Sequence, residues 1–459
     1  MLKKNETVRL QIEDLDSQGL GIGHSDGVAV FVKDTVIGDE IEAVITKVKK
    51  TYAYGRVKQI LVQSPDRVTP RCEVARQCGG CQLQMMNYEA QLRFKQSRVK
   101  NALERIGGFR GIQAEPVIGM DEPWNYRNKA QYPVGTDRRG VLVCGFYAGR
   151  THAIIPLPEK EGCVISASCD NAVLSAVTEH MERYHIPAYR EEEHAGLVRH
   201  VLIRTARSTG QIMVCLIING SGIPGEAELV RALLQIPGMT CIALNRNTDR
   251  TNVILGNETR ILSGNGYIEE NIGPVRYRIS VRSFFQVNPV QTEKLYAAAL
   301  EYASPTGDET VLDLYCGTGT ISLFLAQKAK KVYGIEIIEE AVKNARINAQ
   351  ENGLLNVEFF AGQAETVLPD LYRQGKLQAD VIVVDPPRKG CERAVLDVML
   401  LMEPRRIVYV SCDPATLARD LSILCSADGY HIEKVQPVDM FPHTSHVETV
   451  VLLTKMNTL

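Results

Sequence analysis

Residues 311–320 read VLDLYCGTGT, an apolar strand-like run that passes through two spaced glycines into a helix-like segment. Glycines at such a turn allow the backbone to approach a ligand closely. Apolar strand-like runs alternate with helical patterns from here onward, at 310–314, 331–335, 357–360, 381–384 and 407–410. This alternation predicts a parallel, doubly wound α/β sheet of the Rossmann-like class, followed by two closing strands near 430–435 and 447–453.

The residues before this sheet predict two further domains, so we expect domains at 1–62, 63–279 and 280–459. Residues 1–62 contain five short strand-like runs separated by glycine turns, a pattern typical of a small β-barrel. This segment resembles a TRAM domain, an OB-like module that binds RNA. Ser64-Pro65 and Thr69-Pro70 mark a linker. The central segment mixes helical stretches near 88–106, 169–184 and 224–235 with strands at 198–204 and 212–218, which predicts an α+β domain.

The composition is that of an ordinary globular protein, with a net charge of −2 over 459 residues. No apolar run is long enough for a transmembrane helix, and no signal core follows Met1. We therefore expect a cytoplasmic protein without a membrane partner, and nothing in the sequence indicates an obligatory protein partner. Six basic residues against one acidic residue between Gln91 and Arg110 predict a solvated helix face.

The second strand of the predicted sheet ends in Glu336, about 20 residues after the glycine turn, where a carboxylate can accept hydrogen bonds from both ribose hydroxyls. A dinucleotide would need a third glycine and would place its pyrophosphate near Asp313, which would repel it. S-adenosylmethionine carries no phosphate, and its amino group would be attracted by Asp313. The residues therefore favour S-adenosylmethionine over a dinucleotide.

Several motifs in the same order resemble the RNA (uracil-5-)-methyltransferases of the RumA/TrmA type. They are the motif at 313–319, Ser283–Asn288 upstream and Asp385-Pro386-Pro387-Arg388 downstream. The resemblance covers nearly the whole chain and implies a class I methyltransferase domain. The cofactor contacts that we expect are Gln286, Tyr315, Glu336 and Asp385, with further contacts at Asp313, Gly317, Thr320 and Gln363.

Methylation of uracil at C5 needs a thiolate that adds to C6 and a separate base that removes the C5 proton. Cys412 follows the fifth parallel strand and precedes a helix, whose dipole is expected to lower the pKa of its thiol. In the resembled family this motif carries the nucleophile, and the glutamate at the position of Glu448 is the general base. His443 and His446 are expected to have structural or hydrogen-bonding roles.

Three cysteines lie within ten residues, Cys72, Cys78 and Cys81, and Cys163 follows later. Four thiolates suit zinc or an iron–sulfur cluster, and the spacing alone leaves both open. The resemblance favours a [4Fe–4S] cluster on these four residues. Cys169, six residues after Cys163, is a second candidate for the fourth ligand.

The resemblance implies formation of 5-methyluridine, and the barrel and cysteine cluster favour 23S ribosomal RNA as the partner, at positions of the U1939 or U747 type. A transfer RNA (uracil-5-)-methyltransferase is the alternative within the same chemistry. Methylation of cytosine at C5 would use similar covalent logic, but Ser411-Cys412-Asp413 lacks the Pro-Cys context typical of those enzymes. The alternative from another class is a non-catalytic RNA-binding assembly factor.

Overall fold

The first part of the chain is a curled antiparallel sheet, seen in a computed structural model that describes residues 2–137, 139–149, 151–426 and 429–456. Its strands are β1 (Thr7–Gln11), β2 (Asp14–Leu15), β3 (Gly21–Ser25), β4 (Val28–Lys33), β5 (Glu40–Val48) and β6 (Tyr52–Val62), in the order β1-β5-β6-β4-β3-β2. Within it, β4 and β6 pair in parallel. A Cβ on Gly23 would lie 2.6 Å from the carbonyl oxygen of Gln11, so β3 can lie against β1 only with glycine there. The predicted OB-like barrel is confirmed.

The central part packs helices on a seven-stranded mixed sheet, as the pattern predicted. The sheet has the order β13-β12-β11-β10-β7-β8-β9, and β14 and β15 form a separate hairpin. The elements are α1 (Tyr88–Arg105), β7 (Lys129–Thr136), β8 (Leu142–Tyr147), β9 (Ile154–Pro156), α2 (Asp170–Arg183), β10 (Val198–Thr205), β11 (Ile212–Ile218), α3 (Glu226–Leu233), β12 (Met239–Arg246), β13 (Glu258–Ser263), β14 (Tyr267–Ile272) and β15 (Val275–Ser280).

The last part is the predicted doubly wound sheet, with strand order β18-β17-β16-β19-β20-β22-β21. Strands β16 to β20 are parallel, whereas β22 lies between β20 and β21 and is antiparallel to both. The elements are α4 (Pro289–Ala303), β16 (Thr310–Leu314), α5 (Thr320–Ala326), β17 (Lys331–Glu336), α6 (Glu339–Glu351), β18 (Val357–Ala361), α7 (Ala364–Arg373), β19 (Val381–Val384), α8 (Arg393–Met402), β20 (Arg406–Ser411), α9 (Pro414–Leu424), β21 (Tyr430–Val438) and β22 (Glu448–Lys455).

Helix α1 joins the central part to the last sheet, and the expectation of a solvated basic face fails at one of its six basic residues, Lys95. Val99 and Leu103 of α1 are buried in the core that contains Leu417 and Leu421 of α9. Lys95, on the same helix, has no exposed side chain because its ammonium group pairs with a buried carboxylate. The run of basic residues in the sequence therefore gave no sign that one of them, Lys95, is buried in the fold. Over the described residues, no helix is both long and apolar enough to cross a membrane.

Candidate active site

A cavity of about 1250 Å³ opens at the edge where the parallel strands end. Side chains reach it from the segments that follow β16, β17, β19 and β20, which is where open α/β sheets bind ligands. The predicted site residues that line it are Gln286, Tyr315, Gly317, Glu336, Gln363, Asp385, Cys412 and Glu448.

The glycine turn and Glu336 form one wall of this cavity. One carboxylate oxygen of Glu336 accepts a hydrogen bond from the amide of Gly317 at 3.0 Å, and the other accepts from the amide of Ile338 at 2.9 Å. Gly317 and Tyr315 both have positive φ, 56° and 64°, which turns the chain sharply after β16. The Tyr315 hydroxyl donates to Glu365 at 3.1 Å. Each oxygen of Glu336 keeps a second lone pair that could accept from a ribose hydroxyl.

Asp313 and Thr320 lie behind the glycine turn and do not line the cavity, contrary to the expected contacts. Asp313 is fully buried and accepts a hydrogen bond from the Ser322 hydroxyl at 2.5 Å. Burial raises the pKa of Asp313 to about 7. The Thr320 hydroxyl is hydrogen-bonded to that of Tyr296 at 2.8 Å. These two side chains support the turn from inside, because the strand directs Asp313 into the core.

Strand register brings Cys412 and Glu448 together. Ser411 of β20 pairs with Thr449 of the antiparallel β22. Cys412 follows Ser411, and Glu448 precedes Thr449. Because the two strands are antiparallel, Cys412 and Glu448 lie opposite each other at the end of the ladder. Asp413 then caps α9, because its carboxylate accepts hydrogen bonds from the amides of Ala415 and Thr416 at 2.9 and 3.0 Å.

The Cys412 thiol has a raised pKa, of about 12, so the expectation of a lowered value is wrong. Burial is the main cause, and the negative charges of Glu448 and Asp385 add to it. The cationic Arg388 acts in the opposite direction. Two nearby carboxylates and partial desolvation therefore outweigh the helix dipole.

The buried Glu448 and the half-buried Asp385 form a carboxyl pair whose charges interact. Burial raises the pKa of both groups, and proximity to Asp385 raises that of Glu448 further, while Arg388 lowers it. Two carboxylates in one desolvated site cannot easily ionise together, so one of them tends to hold a proton at neutral pH. A carboxylate with a raised pKa is a better proton acceptor than an ordinary surface glutamate.

Three side chains that line this cavity were not among the catalytic or cofactor-binding residues expected from the sequence: Arg388, Phe284 and His446. Arg388 supplies the positive charge beside Cys412 and Glu448. The Phe284 ring is 66% exposed, and an exposed aromatic ring at a cavity is typical of a binding surface. Burial lowers the pKa of His446 to about 4, so this ring is neutral at pH 7. The position of Phe284 inside the motif at 283–288 was the available signal.

His443 lies away from the cavity and holds the loop before Glu448. Its ring stacks on Trp124 with a centroid distance of 3.7 Å. Its amide donates to the side chain of the buried Gln91 at 2.9 Å, and its carbonyl accepts from the amides of Gln82 and Leu83 at 3.0 and 2.9 Å. Burial lowers the pKa of His443 to about 3, so this residue is neutral and structural in this position.

The cysteine segment lies on the other side of that loop. Cys72, Cys81 and Cys163 pack against one small core, which also contacts Trp124. Burial raises the pKa of Cys81 to about 12, and the neighbouring thiols of Cys163, Cys78 and Cys72 add to the shift. Among the described residues, no group of three or more His, Cys, Asp or Glu side chains is arranged to hold a single metal ion.

Cys169, the alternative fourth cysteine, belongs to a different environment. It precedes α2 and its sulfur lies 3.8 Å from the carboxylate of Asp170. It packs against the central core rather than against the core that contains Cys72 and Cys81. The structure therefore favours Cys163 over Cys169 as the companion of the other three thiols.

Comparisons with known proteins agree over the whole chain. The family described as tRNA (Uracil-5-)-methyltransferase matches residues 255–456, and the TRAM domain matches residues 2–58. A protein of Halalkalibacterium halodurans named as an uncharacterized RNA methyltransferase is 50% identical over 99% of this chain and 98% of its own. A Clostridium tetani protein with the same description is 48% identical over 99% of this chain and 97% of its own.

Among solved structures, the chain is similar to the tRNA (uracil-54, C5)-methyltransferase of Pyrococcus abyssi in complex with S-adenosyl-L-homocysteine. The two chains superpose with a TM-score of 0.78 at 27% identity, covering 97% of this chain and 100% of the other. Because the superposition includes the barrel and central parts, those parts occur in an enzyme described as acting on transfer RNA.

Proposed function

The chain belongs to the uracil-5 RNA methyltransferase family, and from this premise we propose that it methylates C5 of uridine in 23S ribosomal RNA through a covalent adduct on Cys412. It is an S-adenosylmethionine-dependent enzyme whose substrate is RNA. The proposal adds the target RNA and the roles of the site residues. The observation that carries it is the register of β20 and β22, which sets Cys412 opposite Glu448 in the cavity.

The proposed reaction has three steps on the uracil ring. The thiol of Cys412, which is partly exposed, first releases its proton to water. Its sulfur then adds to C6, and the electrons of the C5–C6 double bond move towards C5 and the O4 carbonyl. C5 then takes the methyl group that S-adenosylmethionine would supply. S-adenosylhomocysteine would be the product that leaves. Glu448 removes the C5 proton, the C5–C6 double bond re-forms, and the thiolate leaves C6.

The charges around Cys412 fit a nucleophile that is held neutral before the reaction. A thiol whose pKa is about 12 is protonated at neutral pH, so it must lose its proton before it can add to the base. Arg388 lowers the pKa of both Cys412 and Glu448, so its charge favours the ionised form of each. We assign Arg388 to the activation of this pair.

Other residues that line the same cavity fit S-adenosylmethionine. Glu336 would bind the ribose, because its two oxygens are already fixed by the amides of Gly317 and Ile338. Gln286, Tyr315 and Asp385 line the same cavity and would hold the remainder of the cofactor. Gln363 lines it too and is assigned to the same group of contacts.

Transfer RNA is the second candidate substrate, and a specific observation favours it. The Pyrococcus abyssi enzyme, which is described as acting on uracil 54 of transfer RNA, matches 97% of this chain. The barrel and central parts therefore do not separate the two RNA classes, contrary to the argument from sequence. The ribosomal assignment therefore depends on the cysteine cluster that begins at residues 72–81 and on the resemblance that it carries.

The experiment that decides between these substrates is a map of 5-methyluridine in cells that lack this gene. Mass spectrometry of 23S ribosomal RNA and bulk transfer RNA should show loss of the modified base in the ribosomal RNA alone. Complementation with the natural gene should restore it, whereas Cys412→Ala should not. Loss confined to transfer RNA would replace the ribosomal proposal with the second candidate and leave the chemistry unchanged.

We further propose that Cys72, Cys78, Cys81 and Cys163 bind a [4Fe–4S] cluster. Burial raises the pKa of Cys72, Cys78 and Cys81, and all three thiols lie close enough to Cys163 for its charge to add to that rise. Zinc, which four thiolates also suit, is the alternative occupant of these cysteines. The preference for the four-iron cluster comes from the family resemblance, and the packing of Cys72, Cys81 and Cys163 against one small core supports a shared site.

A further inference from the structure

The loop of residues 386–391, which carries Arg388, lies against one face of helix α9. The side chain of Arg388 is exposed, so the position of its charge depends on how the backbone of this loop is held. Arg419 and Asp420 follow Thr416 in α9 by three and four residues, so the three side chains share one face of the helix. All three contact the loop, and none of them lines the catalytic cavity.

Two of these side chains bind carbonyl groups of the loop. The Thr416 hydroxyl donates to the carbonyl of Arg388 at 3.1 Å. The guanidinium of Arg419 donates to the carbonyl of Lys389, the next residue, at 2.9 Å. Two consecutive peptide groups of the loop are therefore tied to the same helix face, and the first of them belongs to Arg388 itself.

Asp420 is at the centre of this contact, and its side chain is fully buried. One carboxylate oxygen accepts from the amide of Cys391 at 2.8 Å and from the hydroxyl of Tyr409 in β20 at 2.6 Å. The other oxygen pairs with Arg419 at 2.7 Å. A Cβ on Gly390 would lie 2.5 Å from the carboxylate, and Gly390 has a φ of 77°, so the loop can approach α9 this closely only with glycine there.

The same helix begins two residues after the nucleophile, because Cys412 lies between β20 and α9. We propose that Asp420 is a positioning residue that holds Arg388 beside Cys412. The inference rests on the proposed function, since it assumes that Cys412 reacts as the nucleophile. Helix α9 then supports both members of the pair: the turn that precedes it carries the thiol, and its side chains hold the loop that carries the charge.

The place of Arg388 matters because the other charged groups that act on the thiol are unfavourable to a thiolate. They are all carboxylates: Glu448, Asp385 and Asp413. Coulomb interactions weaken with distance, so a displaced Arg388 would favour the thiolate less. Asp420 is itself a carboxylate, and losing its charge alone would favour the thiolate. A slower thiol in an Asp420 variant would therefore come from the displaced cation and not from the lost carboxylate charge.

The test measures alkylation of Cys412 by iodoacetamide in the full-length protein, without RNA or cofactor, by mass spectrometry of the peptide that contains it. At pH 8 to 9, well below the thiol pKa of about 12, the rate follows the fraction of thiolate. Arg388→Met is the reference and should slow alkylation about 10-fold, which corresponds to a shift of one pKa unit. Asp420→Asn and Thr416→Val should each slow it about 2- to 10-fold, because the loop moves but keeps its cation.

The matched control for Thr416→Val is Ser422→Ala in the same helix. Both hydroxyls donate to the carbonyl three residues earlier in the chain, but only that of Thr416 also binds the loop. Ser422→Ala should therefore leave the rate unchanged. The half-buried Cys425, which follows α9 directly, reports opening of the helix, and its alkylation should stay constant in all variants.

Double variants separate positioning from a general loss of structure. If Asp420 acts through Arg388, Asp420→Asn should not slow alkylation further once residue 388 is methionine. The same slowing in both backgrounds would overturn the inference, as would Cys412 rates in Asp420→Asn and Thr416→Val equal to that of the natural protein. If Asp420→Asn opens the helix and exposes Cys425, Thr416→Val and its double variant with Arg388→Met decide by the same criteria.

Methyl transfer to substrate RNA gives a separate result. Asp420→Asn should lower kcat and leave the KM for S-adenosylmethionine nearly unchanged, because the amide of Asp385 is held by the carbonyl of Leu314 at 3.3 Å and not by α9. If alkylation changes as expected but no uridine is methylated in any RNA, the positioning role stands and the proposed function fails. If uridine is methylated through Cys412 but alkylation is unaffected, the proposed function stands and the positioning role fails.

Discussion

The buried ion pair between Lys95 of α1 and Asp439 is the contact that we expect to hold the catalytic loop most firmly against the central part. Neither side chain is exposed, and the ammonium nitrogen lies 2.5 Å from one carboxylate oxygen. The ammonium group also donates to the carbonyl of Phe441 at 3.0 Å, and the Tyr88 hydroxyl donates to the other carboxylate oxygen at 2.8 Å. Asp439 lies nine residues before Glu448, so its position sets where the loop begins.

Replacing Lys95 with methionine should lower the free energy of unfolding by about 3–5 kcal/mol, because it leaves the Asp439 carboxylate buried without its charge partner. The change keeps the length and apolar stem of the side chain, so little of the effect comes from packing. For a domain of this size the loss corresponds to a fall in the melting temperature of about 6–20 °C. Burial lowers the pKa of Lys95, which shows that desolvation of its charge already opposes the pair.

The assay is the fluorescence of Trp124 during urea or thermal unfolding. Trp124 is the chain's single tryptophan, and its ring stacks on His443 in the loop that the ion pair anchors. Its signal therefore reports the opening of this region separately from circular dichroism, which follows all the helices. In Lys95→Met we expect the tryptophan transition to move to lower urea or temperature first.

Two control variants separate the buried charge from other effects. Arg93 lies on the same helix as Lys95 and forms an exposed ion pair with Asp66. Arg93→Met removes this pair and should lower the free energy of unfolding by no more than about 1 kcal/mol. Adding Asp439→Asn to Lys95→Met should recover most of the loss, because the neutral amide still accepts from Tyr88. If Lys95→Met destabilised the protein no more than Arg93→Met, the reasoning from the buried charge would be refuted.

Three further predictions concern the cofactor, the nucleophile and the cluster. Glu336→Ala should weaken S-adenosylmethionine binding about 10- to 100-fold in calorimetry, because charged hydrogen bonds to the ribose are lost; an unchanged affinity would contradict this role. Arg388→Met should raise the pKa of Cys412, so the pH at which adduct formation reaches half its maximal rate should move upward, and no movement would count against the assigned charge effect. Cys81→Ser, purified without oxygen, should lose the absorbance and the roughly four irons of a cubane cluster, whereas Cys425→Ser should keep both; stoichiometric zinc in the natural protein would support the zinc alternative.

Local sequence patterns were sufficient for most of the fold. Apolar runs such as Val381–Val384 and glycine turns such as 317–319 carry their own signal, so the parallel strands were predicted nearly residue by residue. The position of β22 between β20 and β21 was not predicted. That arrangement depends on which strand pairs with the edge, and pairing between distant strands leaves no local pattern.

Some features of the candidate active site could be predicted from local sequence, and others depend on contacts between distant segments. Residues at strand ends, such as Glu336 and Cys412, could be located because their elements place them at the carboxyl edge. The raised pKa of Cys412 could not be predicted, because it arises from burial and from the charges of Glu448 and Asp385, and both depend on how distant segments of the chain pack together. The inward direction of Asp313 was missed for a related reason, since Ser322, which donates a hydrogen bond to it, lies in the first turn of the next helix.

The most direct test of the covalent mechanism is the fate of the RNA in Glu448→Gln. The amide keeps the size of the side chain but cannot take the C5 proton, so the ring should be methylated once and then remain attached to Cys412. With a radiolabelled methyl donor, a denaturing gel should show a labelled protein–RNA complex that is absent from the double variant with Cys412→Ala. Normal turnover in Glu448→Gln, with no trapped complex, would contradict the account and assign proton removal to another group.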